Sequence, residues 1–137
     1  MFGALDISTS GMIAQRTRFE AIATNLANVS TIVDEKGNNT PFQRRVVYFS
    51  AGDPAAKTAA GQAMGVHVNA IQSEAGFQLH YEPGNPLADT NGYVKYPNIN
   101  PVIEQMNAYE AERAYEANVT AAEASKTMLA QSLRLLA

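Results

Sequence analysis

After Pro101 the chain contains neither another Pro nor a Gly, so nothing local interrupts a helix before its end at Ala137. Asn100 is placed to cap that helix, since its side-chain carbonyl can accept from an unpaired first-turn amide. Pro101 suits the first helical position because its missing N–H would be orphaned there anyway. Glu104 in the first turn and Arg134 in the last match the helix dipole. The spacing predicts a helix over 101–136, on the order of 50 Å long at ~1.5 Å per residue, which is longer than a compact domain of this size needs. Such a helix must project or find a partner.

Its apolar positions describe where the partner lies. Tyr115, Ala122, Leu129 and Leu136 recur every seven residues, with Val119 and Leu133 four further on, and Ala114, Ala121, Met128 and Leu135 run beside them. From Ala108 to Ala124 the stripe is made of small residues, which lets another backbone come close. An ordinary core helix is the plain alternative; length and terminal position argue against it. Although 46% of the 137 residues are hydrophobic, much of that share is Ala, which buries little area. A self-sufficient monomer is not expected.

At the other end, Leu5, Met12, Phe19 and Leu26 also recur every seven residues, flanked by Ile22 and Val29. The second seam position is poor, because Ser8, Gln15 and Arg16 stand where a stable coiled coil would place Leu or Ile. Gly11 costs about 1 kcal/mol against Ala. A helix over about 7–29 follows, one that needs packing to stay ordered. It should end in Asn25-Leu26-Ala27-Asn28-Val29-Ser30-Thr31, whose polar side chains compete for backbone hydrogen bonds. A simple turn explains that run. A sharper reading has Asn25 and Asn28 on one face, with amides able to bond across to a neighbouring backbone or helix.

Between these ends the character changes. Residues 33–41 are turn chemistry, and Phe42 to Phe49 reads as a strand. Residues 50–63 are small, polar and interrupted by Gly, which suits a mobile segment. Val66 to Ile71 and Phe77 to Tyr81 alternate with period two, and Ser73 to Gly76 between them fits a hairpin connection. Residues 83–97 are too dense in Pro and Gly for a regular element and read as an extended strap along the helices. The expected fold class is α+β, mainly α: helical ends at 1–33 and 98–137, and a small β-rich module with its strap at 34–97.

Little chemistry is on offer. A net charge of −3 gives no basic field for nucleic acid and no cationic face for anionic lipid. With no Cys, thiol catalysis and thiolate metal sites are excluded. His67 and His80 are expected to face solvent on strands, opposite Val66, Val68, Leu79 and Tyr81. No HExxH, GxSxG, P-loop or GxGxxG occurs. Glu104, Glu110, Glu112, Glu116 and Glu123 read as a solvated or intersubunit face of the last helix. No catalytic residue, cofactor or metal is expected. Met1 to Asp6 lacks the basic start of a secretion signal, and no segment approaches the roughly 20 apolar residues of a membrane span. The expectation is a cytosolic protein, or one leaving by a route that reads no cleavable signal.

Two blocks carry a family resemblance. Leu5 to Thr31, with its Asn25-Leu26-Ala27-Asn28-Val29-Ser30-Thr31 signature, resembles the N-terminal motif of bacterial flagellar rod, hook and hook-associated axial proteins. Met106 to Val119, Met-Asn-Ala-Tyr-Glu-Ala-Glu-Arg-Ala-Tyr-Glu-Ala-Asn-Val, resembles their C-terminal motif. Between them, Arg44 to Phe49, Gly65 to Val68, Tyr81 to Pro86 and Gly92 to Asn100 are similar to the short proximal rod subunits, which lack the large central insertions of hook proteins. The chain departs from that pattern at Asn85, at Leu87 and over 32–36.

The resemblance implies a subunit exported unfolded through the flagellar type III apparatus, with terminal helices packed as an antiparallel, coiled-coil-like pair. Many copies would assemble helically, across the periplasm, into the hollow basal-body shaft that carries torque and surrounds the export channel. Partners would be the chain itself, other rod subunits, and hook-basal-body junction and ring components, with no nucleic acid and no membrane insertion. The assembly interface is expected at Leu5, Met12, Phe19, Asn25, Leu26, Asn28, Ala114, Tyr115, Asn118, Val119, Ala121, Leu129 and Leu133. Leu5, Met12, Phe19 and Leu26 should meet Tyr115, Val119, Leu129 and Leu133 within a subunit. A non-polymerising helical hairpin that binds a partner helix is the alternative.

Overall fold

The longest element of the computed structural model, α3 (Pro101–Leu136), begins where the sequence places it. Asn100 Oδ1 accepts from the amides of Val102 at 3.0 Å and Ile103 at 3.4 Å, so two of the orphan donors of the first turn are satisfied. The structure describes residues 2–52, 54 and 59–136, and part of the small, polar 50–63 tract lies outside them. Before α3 come α1 (Phe2–Ala27), β1 (Arg44–Ala51), a one-turn α2 (Ala59–Gln62), β2 (Val66–Glu74), β3 (Phe77–Tyr81) and β4 (Tyr93–Pro97). Two long helices flank a small β region, and the fold is mostly α.

α1 starts five residues earlier and stops two earlier than the sequence predicts. It lies against α3 with the two directions opposed: Asn25 bonds to Glu104, Arg18 to Glu110, and Gly11 sits against Asn118. The face of α1 covered by α3, β1 and β2 carries Ser8, Gly11, Ala14, Ala21, Ile22 and Asn25, all buried. These are spaced by three and four, as one helical face requires. They are small or polar, which is what lets the backbones approach. The Leu5, Met12, Phe19, Leu26 stripe lies one position beside that row, so it is not the seam. Leu5, Met12 and Leu26 are half-buried and Phe19 is 47% exposed. Opposite, Ala111, Ala122 and Ser125 of α3 are buried, whereas Tyr115 and Leu133 stay exposed. At the seam itself smaller residues are buried, and of the two expected stripes Phe19 and Tyr115 come together beside it, where they line one groove.

The strands pair differently from the sequence expectation. β1 and β2 form one antiparallel pair with a bulge at Tyr48/Phe49, and β3 and β4 form another. No β2–β3 hairpin forms. A tight hairpin reversal needs residues at positive φ, and neither Ala75 nor Gly76 has it, so the chain runs on from β2 into β3. The reversals occur instead at Gly52 and Gly65, both at positive φ and joined by a 2.9 Å backbone bond, and before β4 at Gly92 (φ 82°). The end of the expected strap, Tyr93 to Pro97, is therefore a strand. Its buried Val94 anchors it, and the Asn39 carboxamide occupies its outer edge by pairing with both the N–H and the C=O of Lys95.

The core is thin. Among the described residues its apolar members are Ala14, Ala21, Ile22, Val94, Pro97, Ile99, Ala111 and Ala122, and of the three largest fully buried side chains two, Glu104 and Asn25, are polar.

Candidate assembly surface and the buried hub beneath it

Asn25 projects from the last full turn of α1 toward the start of β1. The Arg45 amide donates to Asn25 Oδ1 at 2.8 Å, and Asn25 Nδ2 donates to the Arg45 carbonyl at 2.9 Å and to Glu104 Oε2 at 3.0 Å. Glu104 is 1% exposed. Its other oxygen receives Arg44 through Nε and Nη2, each at 2.8 Å, and Arg44 Nη1 reaches on to Glu74 of β2 at 3.0 Å. Four elements thus meet in one network whose inner members have named partners, the condition under which buried polar groups hold a fold rather than weaken it. Burial of the Arg44 guanidinium pulls its pKa down, but its hydrogen bonds to Glu104 and Glu74 outweigh that and hold it above the ordinary value.

The sequence expectation for Glu104, a solvated or intersubunit carboxylate, is corrected by this geometry. Its proximity to a helix N-terminus was legible, but its partner Arg44 lies 60 residues away and left no local signal. The sharper reading of the two asparagines holds for Asn25, which bonds across to a strand. Asn28 is local: it donates to the Thr24 carbonyl and accepts from Thr31 Oγ1, closing the turn after α1. His67 is half-buried with Nδ1 2.8 Å from the Gly52 carbonyl, while His80 is exposed and stacks on Tyr96 at 4.6 Å.

The expected interface residues fall into three settings. Asn25 is wholly inside the subunit. Leu5, Met12, Leu26, Asn28, Ala114, Asn118, Val119 and Leu129 are half-buried at the margins of the helix pair. Phe19, Tyr115, Ala121 and Leu133 are exposed. Phe19 and Tyr115 line one open groove between α1 and α3 with Gln15, Arg16, Ala111 and Glu112. Gln15 Oε1 is buried at its floor and accepts no hydrogen bond. Ile7, Ile13, Val102, Ile103, Met106, Tyr109, Met128 and Leu135 extend the uncovered apolar surface along both helices. Isolated exposed apolar residues are ordinary; a series of them along both members of a helix pair makes this the candidate interaction surface. Among the described residues no group of three His, Asp or Glu gathers as a metal site, and no helix is long and apolar enough to cross a membrane.

Comparison with known proteins agrees with this architecture end by end. Residues 5–32 match the family described as flagella basal body rod protein, and residues 90–135 match the C-terminal family of the flagellar basal body rod FlgEFG proteins. Over 125 residues the chain is 45% identical to the flagellar basal-body rod protein FlgC of Aquifex aeolicus, covering 88% of this chain and 86% of that one. It is 40% identical over 137 residues to FlgC of Salmonella typhimurium and 33% identical over 145 to FlgC of Bacillus subtilis, in both cases covering 98% of this chain and 97% of the relative. The matched ends are α1 and α3, and the full-length identity takes in the β region between them. The chain belongs to the FlgC family of flagellar basal-body rod proteins.

Proposed function

We propose that the chain is a structural, non-enzymatic subunit of the basal-body rod that joins its own copies and other rod subunits in a helical, hollow drive shaft around the export channel. One observation carries this reading: α1 and α3 bury mainly small and polar side chains, with Ile22 the one large apolar exception among their described residues, and leave others exposed, including Phe19, Tyr115 and Leu133. A helix pair built that way is completed by neighbours. Heterologous contacts that do not close on themselves, repeated about an axis, build a tube.

In this reading the helical ends, 1–33 and 98–137, form the assembly core as a coiled-coil-like pair, and 34–97 acts as a peripheral module whose Pro83 to Pro97 segment braces adjacent subunits. The interface comprises Leu5, Met12, Phe19, Leu26, Asn28, Ala114, Tyr115, Asn118, Val119, Ala121, Leu129 and Leu133, with Asn25 acting from within by fixing the angle of the pair. The subunit reaches the periplasm through the flagellar type III apparatus and meets hook-basal-body junction and ring components there. The test is seeding. Purified chain mixed with basal-body fragments should sediment with them in several copies per fragment. A chain that stays monodisperse at high concentration, with or without fragments, overturns the proposal and fits a helical-hairpin adaptor.

A further inference from the structure

The helix pair is unequal in length. α1 has 26 residues and α3 has 36, and with Gly11 against Asn118 and Asn25 against Glu104 the start of α1 runs out before α3 does. About the last two turns of α3, from Met128 onward, have no α1 residue opposite them among the described residues. Met128 and Leu133 are exposed there and Leu135 is 89% exposed. Arg134 is the one charged residue of this overhang and, among the described residues, has no ion-pair partner.

On the outer face of α1, a groove opens between the helix and the Gly61–Met64 segment, lined by Asp6, Ile7, Ser10, Ile13 and Met64. Ile7, Ile13 and Met64 are exposed. Asp6 is the one charged residue in that lining and likewise has no ion-pair partner among the described residues. Groove and overhang carry mirror-image patterns. Read along α1, Asp6 and Ile7, then Ser10, then Ile13 occupy one helical face; read backwards along α3, Leu135 and Arg134, then Gln131, then Met128 occupy another. Laid antiparallel, acid meets base, polar meets polar and apolar meets apolar.

We infer that the Met128–Leu135 overhang of one copy docks in the Asp6–Ile13 groove of a second copy, with Arg134 opposite Asp6 and Met128 opposite Ile13. The inference rests on the reading of the chain as a self-associating rod subunit and gives that reading one defined contact. Because α3 runs antiparallel to the neighbour's α1, as it does to its own, the two copies point the same way. They are displaced along the helix axis by about 12 residues, roughly 18 Å. The overhang and the groove are different patches, so each copy keeps one of each free and the contact propagates.

The chain has no Cys, which makes disulfide trapping clean. Full-length protein carrying both Asp6→Cys and Arg134→Cys, mildly oxidised at a concentration where the unmodified chain sediments as oligomers, should give a ladder of two, three, four and more linked copies on a non-reducing gel. Separately made Asp6→Cys and Arg134→Cys proteins, mixed, should give dimers containing one of each. In sedimentation velocity, Asp6→Arg alone should weaken self-association about three- to fivefold, as a partly exposed ion pair allows, and Asp6→Arg with Arg134→Asp should restore it to within about twofold. Circular dichroism of each variant should match the unmodified chain. A ladder that stops at two copies, or no cross-link while the unmodified chain associates, overturns the inference and leaves the rod reading standing. An unmodified chain that never associates, alone or on basal-body fragments, removes both.

Discussion

The Asn25 carboxamide and the Arg45 peptide face each other as two paired strands would, donating and accepting at 2.9 and 2.8 Å, with α1 supplying one side and β1 the other. Only a side chain with a donor and an acceptor in one plane can do this, and the second amide hydrogen is what remains for Glu104.

Substitution at Asn25 should therefore rank by hydrogen-bonding capacity rather than size. Asn25→Ala frees the Arg45 N–H and C=O and one Glu104 oxygen, and should cost about 2–3 kcal/mol. Asn25→Asp keeps the acceptor, loses both donors and sets a second carboxylate against Glu104, so at neutral pH it should cost more than Ala. Urea midpoints followed by circular dichroism give the order. In mild acid, where the new carboxyl can protonate and donate, the Asp variant should recover part of its loss; an Asp variant as stable as the parent at pH 7 would refute the arrangement.

Glu104 is the second handle on the same hub. Glu104→Gln keeps the shape but offers one acceptor oxygen where Asn25 and Arg44 use two, and it leaves Arg44 with Glu74 as its one charged partner. With the Arg44 side chain a quarter exposed, the loss should fall near the low end of that for broken buried pairs, about 2–3 kcal/mol. Arg44→Met combined with Glu104→Leu should cost less than the two single changes added, because neither charge is then stranded. Additive losses would mean that the pair is not coupled.

These residues also show what could be read in advance. The Asn100 cap and Pro101 start of α3 were legible because capping is decided by neighbours in sequence. The Asn25–Glu104–Arg44 hub was not, since its bonded pairs lie 79 and 60 residues apart and each member has an ordinary local explanation. The seam was displaced by one position for a physical reason. The largest apolar residues, Leu5 to Leu26, mark a stripe at seven-residue spacing, but close approach selects Ser8, Gly11, Ala14 and Asn25 and pushes the large ones to its edge. Strand partners were misjudged because hairpin logic counts residues between strands, whereas the reversals follow where Gly can take positive φ.

Gly11 tests the close approach directly. A Cβ there would stand 2.7 Å from Asn118 Oδ1 and 2.9 Å from Cγ, so Asn118 would have to turn away and release its bond to the Ala114 carbonyl. In Gly11→Ala, a propensity gain of about 1 kcal/mol should be cancelled by that displacement. In an Asn118→Ala background, the same change should stabilise by about 1 kcal/mol. The double-mutant cycle separates the terms, and an equal effect of Gly11→Ala in both backgrounds would place the helices further apart than they are.

Asp34 gives a pH-dependent signal remote from the helices. Hydrogen bonding to its carboxylate, led by the Asn38 backbone amide and joined by that of Lys36, holds its pKa below the ordinary value. A depressed folded pKa means that the contribution is present above the ordinary carboxylate value and is lost as pH falls through the folded one. The Asp34 carboxyl resonance should titrate at a lower pH than that of an unstructured Asp. The amide shifts of Lys36 and Asn38 should move with it, and both effects should vanish in Asp34→Asn.

The remaining prediction separates folding from assembly by comparing two neighbours on α1. Ile22 is buried on the face covered by the rest of the subunit, and Phe19, three residues earlier, is about half exposed beside Tyr115. Ile22→Asp places a charge in the thin core and should abolish the cooperative transition of the chain itself. Phe19→Asp removes a side chain that its own subunit leaves about half uncovered, so the isolated chain should still unfold cooperatively with a loss of about 1 kcal/mol, while recovery in basal-body fragments falls at least tenfold. If Phe19→Asp unfolds the chain, the outer stripe belongs to the subunit's own core. If it folds and still assembles, the groove with Tyr115 is not where neighbours meet. A folded chain that no longer joins the rod is the result expected when the large apolar residues lie outside the seam.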